Sequence, residues 1–99
     1  MIEDDKEIQL EKETQLENEI VEWITLTAKK LVEFPDQIEI NTAKKTEGKA
    51  RTLIVMIDCN NKDNGKLIGK KGAVIQAMRR LVMSMLGKVN KRINILVMD

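Results

Sequence analysis

The stretch Leu67-Ile68-Gly69-Lys70-Lys71-Gly72-Ala73-Val74-Ile75 constrains the fold more than any other part of this chain. An apolar pair leads into two glycines bracketing two lysines, and a long apolar-periodic run follows. Two helices can meet across four residues only if the backbone bends sharply, and glycine enters positive-φ space without the Cβ penalty. Gly69 is therefore expected to stop a short helix and Gly72 to start the next. The first N–H groups of that second helix would lack intrahelical partners and would lie at the positive end of its dipole, where a phosphate can bind. A bare G-x-x-G is also what an ordinary helix corner looks like, so the surrounding residues must decide between the two.

Those surroundings have a definite order. Residues 1–15 form an acidic extension in which, beyond Met1, only Ile2, Ile8 and Leu10 are apolar; it is expected to be either helical or disordered. Residues 16–99 are expected to form one domain. Leu16, Ile20, Trp23, Ile24, Thr27, Ala28 and Leu31 recur at three- and four-residue spacing, which predicts a helix with Trp23 on its core face. Thr14-Gln15-Leu16-Glu17 has the form of a capping box that would open it, and Phe34-Pro35-Asp36 should close it. Gln37 to Asn41 alternates like a short edge strand, Thr42 to Ala50 looks like a basic connecting loop, and Thr52 to Ile57 has the two-sided apolar profile of a central strand. Asp63 or Asn64 is suited to cap a short helix ending near Ile68.

On the second helix, Val74, Ile75, Ala77, Met78, Leu81, Val82, Met85 and Leu86 cover about half the circumference, with Gln76, Arg79, Arg80, Met83 and Ser84 opposite. A face that wide is expected to touch both the sheet and other helices. Gly87 suits the C-terminal cap, with Lys88 beside the negative end of the dipole. Arg92 to Met98 then supplies a last strand.

Charge separates the two ends of the chain. Residues 1–22 hold nine acids against Lys6 and Lys12, a charge of −7, and since the whole chain carries +1 the remainder carries +8. Lys62 to Arg92 contains nine bases and a single acid, Asp63. Clustering of one sign around the two glycines is the footprint of a polyanion binder, although a solvated lysine-rich surface has the same composition.

Other chemistries lack their residues. With no His, one Cys and no acid pair in a glycine-rich apolar setting, the usual general-base, nucleophile and zinc-ligand constellations are missing, so no enzyme, cofactor, metal site or small-molecule substrate is expected. Asp58 to Lys62 fails as a calcium loop because Lys62 stands at a ligand position. Cys59 is expected to be a half-buried structural residue, which with the lack of a signal sequence suits a reducing cytoplasm; the longest apolar run, Leu53 to Ile57, cannot span a bilayer. Trp23 and Phe34 are the only aromatics, too few for the stacking platforms of RRM sheets or OB folds.

Asp63-Asn64-Gly65-Lys66-Leu67-Ile68-Gly69-Lys70-Lys71-Gly72, followed by Ile75 and by Arg79-Arg80-Leu81-Val82, resembles the signature of the KH domain family, more narrowly the small single-KH bacterial RNA-binding proteins of the KhpA (YlqC-like) type. Val32-Glu33-Phe34-Pro35-Asp36 is similar to that family's helix-to-strand corner. The resemblance runs from about Glu19 to Met98. It implies an α+β fold, the type II (prokaryotic) KH domain with order αββααβ, a three-stranded mixed sheet and helices packed on one face. It also implies a partner, single-stranded RNA, gripped along its backbone by the G-x-x-G loop with its bases in an adjacent apolar groove. Carried over residue by residue, Gly69, Lys70, Lys71 and Gly72 become backbone contacts and Ile68 and Val74 the groove wall, with Lys66 and Ala73 in the same site. Ala73 departs from relatives that often carry a longer polar or basic side chain there.

The role expected from the resemblance is post-transcriptional regulation or RNA chaperoning in the cytoplasm. The alternative is a protein-interaction subunit, acting through homodimerisation or by pairing with a larger KH-containing partner. Duplex-DNA binding by a helix-hairpin-helix is a third reading, but it leaves no place for three strands.

Overall fold

The computed structural model describes residues 2–87 and 91–98, with side chains from Lys12 onward. Its elements run α1 (Ile2–Leu31), β1 (Glu39–Glu47), β2 (Ala50–Asp58), α2 (Asn64–Ile68), α3 (Ala73–Leu86) and β3 (Lys91–Val97). This is the expected order. β2 lies centrally, antiparallel to β1 and parallel to β3, so the sheet is three-stranded and mixed.

The side chains sort by strand alternation onto two faces. Leu53, Val55 and Ile57 of β2 and Ile93 and Ile95 of β3 are buried against Ile20, Ile24 and Ala28 of α1, Leu67 of α2, and Ile75, Met78, Val82 and Leu86 of α3. All helices thus cover one face. On the other, Ile54 and Met56 are half-buried and Leu96 is 37% exposed. The two-sided apolar profile of β2 marks a central strand correctly, yet only one side of it is sealed.

Several local expectations need correction. No helix opens at Thr14–Glu17: α1 passes through that point as one 30-residue helix. Its sequence from Ile2 to Leu31 contains neither Gly nor Pro, and its early acids favour the positive end of the dipole. The basic loop foreseen at Thr42–Ala50 is mostly strand, because β1 continues to Glu47 and Glu47 pairs with Ala50 across a tight Gly48-Lys49 turn. Polar residues suffice there because this stretch of edge strand is exposed throughout. β1 is an edge strand, as expected.

Helix α3 buries less than half its circumference. Ile75, Met78, Val82 and Leu86 are buried, whereas Leu81 is 51% and Met85 37% exposed and Ala77 is also open. The opposite side is not all solvent either, since Arg79 is half-buried against β3. Gly87 caps α3 as expected; Lys88, expected beside it, lies outside the described residues. Trp23 is half-buried and packs at the margin of the core.

Candidate nucleic-acid interface

The G-x-x-G corner is built by strained and tightly closed backbone. α2 ends at Gly69 (φ 80°, ψ 172°), a short 3-10 turn covers Lys70–Gly72, and α3 begins at Ala73, one residue later than foreseen. A Cβ on Gly69 would stand 2.5 Å from Val74 Cγ2 and 2.7 Å from Val74 N, so no other residue fits without moving the start of α3. Gly72 is left-handed at φ 77°. Between them Lys71 adopts φ 58°, the only positive φ at a non-glycine among the described residues. Left-handed backbone costs an ordinary residue about 1–2 kcal/mol, a strain of the kind that persists where the surrounding structure imposes it.

The main-chain donors of the corner divide into spent and unspent groups. Gly69 N–H donates to Gly65 O at 2.8 Å, Gly72 N–H to Gly69 O at 3.1 Å, and Ala73 N–H closes onto Lys70 O. The phosphate-binding donors foreseen at Gly72 are thus partly consumed within the turn. Lys70 and Lys71 N–H have no main-chain partner outside the regular elements among the described residues, and both side chains are exposed. Ile68 and Val74 flank the turn half-buried, packed on the core, while Ala73 is exposed. Lys66 Nζ lies 3.4 Å from Glu33 Oε2 and 3.6 Å from Asp63 Oδ1, so its charge is shared with two carboxylates.

Asp63 holds the corner in place. It stands at the N-cap position of α2, but its side chain makes no capping bond there. Fully buried, its two carboxylate oxygens accept from Glu33 N–H at 2.9 Å and Phe34 N–H at 3.0 Å, just past the end of α1. The chain 30 residues away is thereby fixed to the start of α2. Burial by itself would raise the Asp63 pKa; the two main-chain donors and Lys66 outweigh it and hold the carboxyl below its usual range. Beside it, Cys59 Sγ donates to Asn64 Oδ1 at 2.9 Å, and burial followed by Asp63 and Asp58 pushes the thiol pKa up. It is a structural thiol, as expected.

A second feature joins α3 to the sheet. The Arg79 guanidinium donates through Nη2 and Nε to Ile95 O at 2.8 and 3.2 Å. Ile95 lies on β3, whose outer edge has no neighbouring strand among the described residues. The helical wheel assigned Arg79 to the polar side, and only the packing of α3 along β3 turns it inward.

A cleft between α1 and the β1–β2 hairpin is lined by Glu13, Glu17, Lys44, Arg51 and Lys91 among others. Both of its acids are already paired: Glu17, 4% exposed, with Lys91, and Glu13 at 3.8 Å from Arg51. Among the described residues no cluster of three or more His, Cys, Asp or Glu could hold a metal, and no helix is long and apolar enough to cross a membrane.

Residues 21–97, from the middle of α1 to the end of β3, match the family model of the KhpA/KhpB KH domain. The chain belongs to the KhpA/KhpB KH-domain family. Its curated relatives include proteins named RNA-binding protein KhpA. The one from Borreliella burgdorferi is 32% identical over 88 residues, 89% of this chain and 99% of the relative. The one from Chlamydia pneumoniae is 31% identical across 79% of this chain and 95% of the relative. A third, from Caldanaerobacter subterraneus, is 35% identical across 73% and 91%. No solved structure matches. Within this KH domain the G-x-x-G corner, Asp63 and Arg79 all fall inside the matched span, whereas residues 2–20 of α1 precede it.

Proposed function

We propose that this KH protein binds single-stranded RNA without catalysing a reaction, holding the sugar-phosphate backbone against the Gly69–Gly72 turn. The observation that carries the reading is the turn itself: two half-buried glycines bracket Lys70 and a strained Lys71, whose side chains are both exposed. Gly69 lets the turn close on Val74 and so sets the backbone the RNA meets, Gly72 allows close approach, Lys70 and Lys71 supply attraction and counterion release, and Ile68 and Val74 form the wall against which bases lie. Ala73 contributes room rather than a contact. Lys66 contributes less than its charge suggests, because Glu33 and Asp63 already engage it. The names of the relatives support the same ligand class. Post-transcriptional regulation or RNA chaperoning in the cytoplasm is the role this ligand fits.

The test is filter binding of a short single-stranded RNA over a salt series. Affinity of the wild type should fall steeply with salt, and Lys70→Asp with Lys71→Asp should remove binding while the thermal melt stays cooperative. Equal affinity of wild type and double variant sinks the proposal.

A second reading is favoured by exposed apolar side chains on the helix layer: Leu26 is 53% exposed, Leu81 51%, Met83 48% and Met85 37%. Singly exposed apolar residues are ordinary, but four on two helices suit self-association or pairing with a second KH protein. One KH module grips few nucleotides, so pairing would raise RNA affinity through effective concentration. Sedimentation of the wild type against Leu81→Lys separates the possibilities: a monomer in both cases removes this reading.

A further inference from the structure

Arg79 occupies an unusual place in this fold. It projects from α3 seven residues after Gly72, about 10 Å along the helix axis, toward an edge strand. Met98 N–H turns inward to Ile57 O at 2.8 Å, and alternation along β3 therefore turns the main-chain groups of Ile95 outward. Arg79 fills the outward carbonyl with Nε and one Nη2 hydrogen, the side-on edge of its fork.

A guanidinium has five N–H donors, and this bond engages two. The unspent group includes the end-on pair, one hydrogen on Nη1 and one on Nη2, lying side by side in the same plane. Among the described residues no carboxylate lies within ion-pair distance of Arg79, and the residue is half-buried, not sealed in the core. Its rotamer freedom is already spent on Ile95, so a ligand meeting the end-on pair has less ordering cost to meet.

We infer that Arg79, pinned to Ile95, is a specificity-determining residue that reads a base edge carrying two acceptors, guanine in preference to adenine. Guanine offers O6 and N7 side by side to such a fork. Adenine offers N7 next to an amino group, which would put donor against donor. The Ile95 carbonyl cannot rescue adenine by accepting from that amine, because Arg79 already occupies it. The distance from Gly72 keeps the guanidinium within the roughly four-nucleotide reach of a G-x-x-G clamp. This inference rests on the RNA-binding reading above.

The experiment measures binding of short oligouridines carrying one guanosine or one adenosine, stepped through every position, to the wild type, Arg79→Lys and Arg79→Met. In the wild type one position should favour guanosine by about tenfold. Arg79→Lys keeps the cation and one donor for Ile95 O but has no fork, so it should retain affinity for plain oligouridine and lose the guanosine preference. Arg79→Met should do the same with a shallower salt dependence; if it fails to fold, Arg79→Lys carries the test. Wild type that binds RNA without preferring guanosine, or an Arg79→Lys variant that keeps the preference, overturns the inference and leaves the RNA reading standing. Wild type that binds none of these RNAs overturns both.

Discussion

Two residues near the turn make opposite contributions, and both can be measured. The buried Asp63 carboxylate is held ionised by Glu33 and Phe34 N–H and by Lys66, with a pKa below its unfolded value. A depressed folded pKa gives stability that is fully present above the unfolded value, about 3.9, and is lost as pH falls through the folded value. Thermal melts should therefore fall from about pH 4 downward. In Asp63→Asn this component should be gone, leaving a lower melt at neutral pH and a flatter acid limb. Lys71 acts the other way: its left-handed backbone costs stability at the point where we propose the RNA backbone is held. Lys71→Gly should raise stability by up to about 1 kcal/mol in urea titrations while weakening RNA binding.

Among the elements, α3 shows how far periodicity reaches. The wheel places Leu81 and Met85 on the same broad apolar face as Met78 and Val82, but only the latter pair meets the sheet and neighbouring helices. Met78→Ala should cost about 3 kcal/mol and Leu81→Gln within about 0.5 kcal/mol, read from paired denaturant curves. The β1–β2 hairpin gives the converse lesson. Lys44, Lys45 and Thr46 carry no apolar alternation, so period alone assigns a loop, yet they pair in register with Leu53, Thr52 and Arg51. An exposed edge strand needs no apolar residues, and its hydrogen bonds come from its partner. Likewise the capping box at Thr14 describes a helix start that a continuous, glycine-free helix does not use.

Across the whole molecule, the acidic and basic parts of the chain meet away from the turn. The part of α1 that precedes the family-matched span is attached to the sheet by Glu17, buried with Lys91, and by Glu13 near Arg51. Lys91→Met leaves the Glu17 charge buried without its partner and should cost about 3–5 kcal/mol. Glu17→Gln combined with Lys91→Met should recover much of that loss, a double-mutant coupling visible in thermal melts.

The order αββααβ, the central place of β2 and the position of the turn were all legible in the sequence. They depend on local period and glycine placement, quantities that each residue carries with it. The reach of Asp63 to the end of α1, the attachment of Arg79 to Ile95 and the exposure of Leu81 were not. Each pairs residues between 16 and 30 positions apart or turns on which side of a helix finds a neighbour. Packing in three dimensions alone decides that, because an apolar or charged side chain acquires its role from what it is brought against. The sequence marked Gly69 to Gly72 as a turn fit for a backbone; the tertiary structure set the strained Lys71, the buried Asp63 and the pinned Arg79 around it.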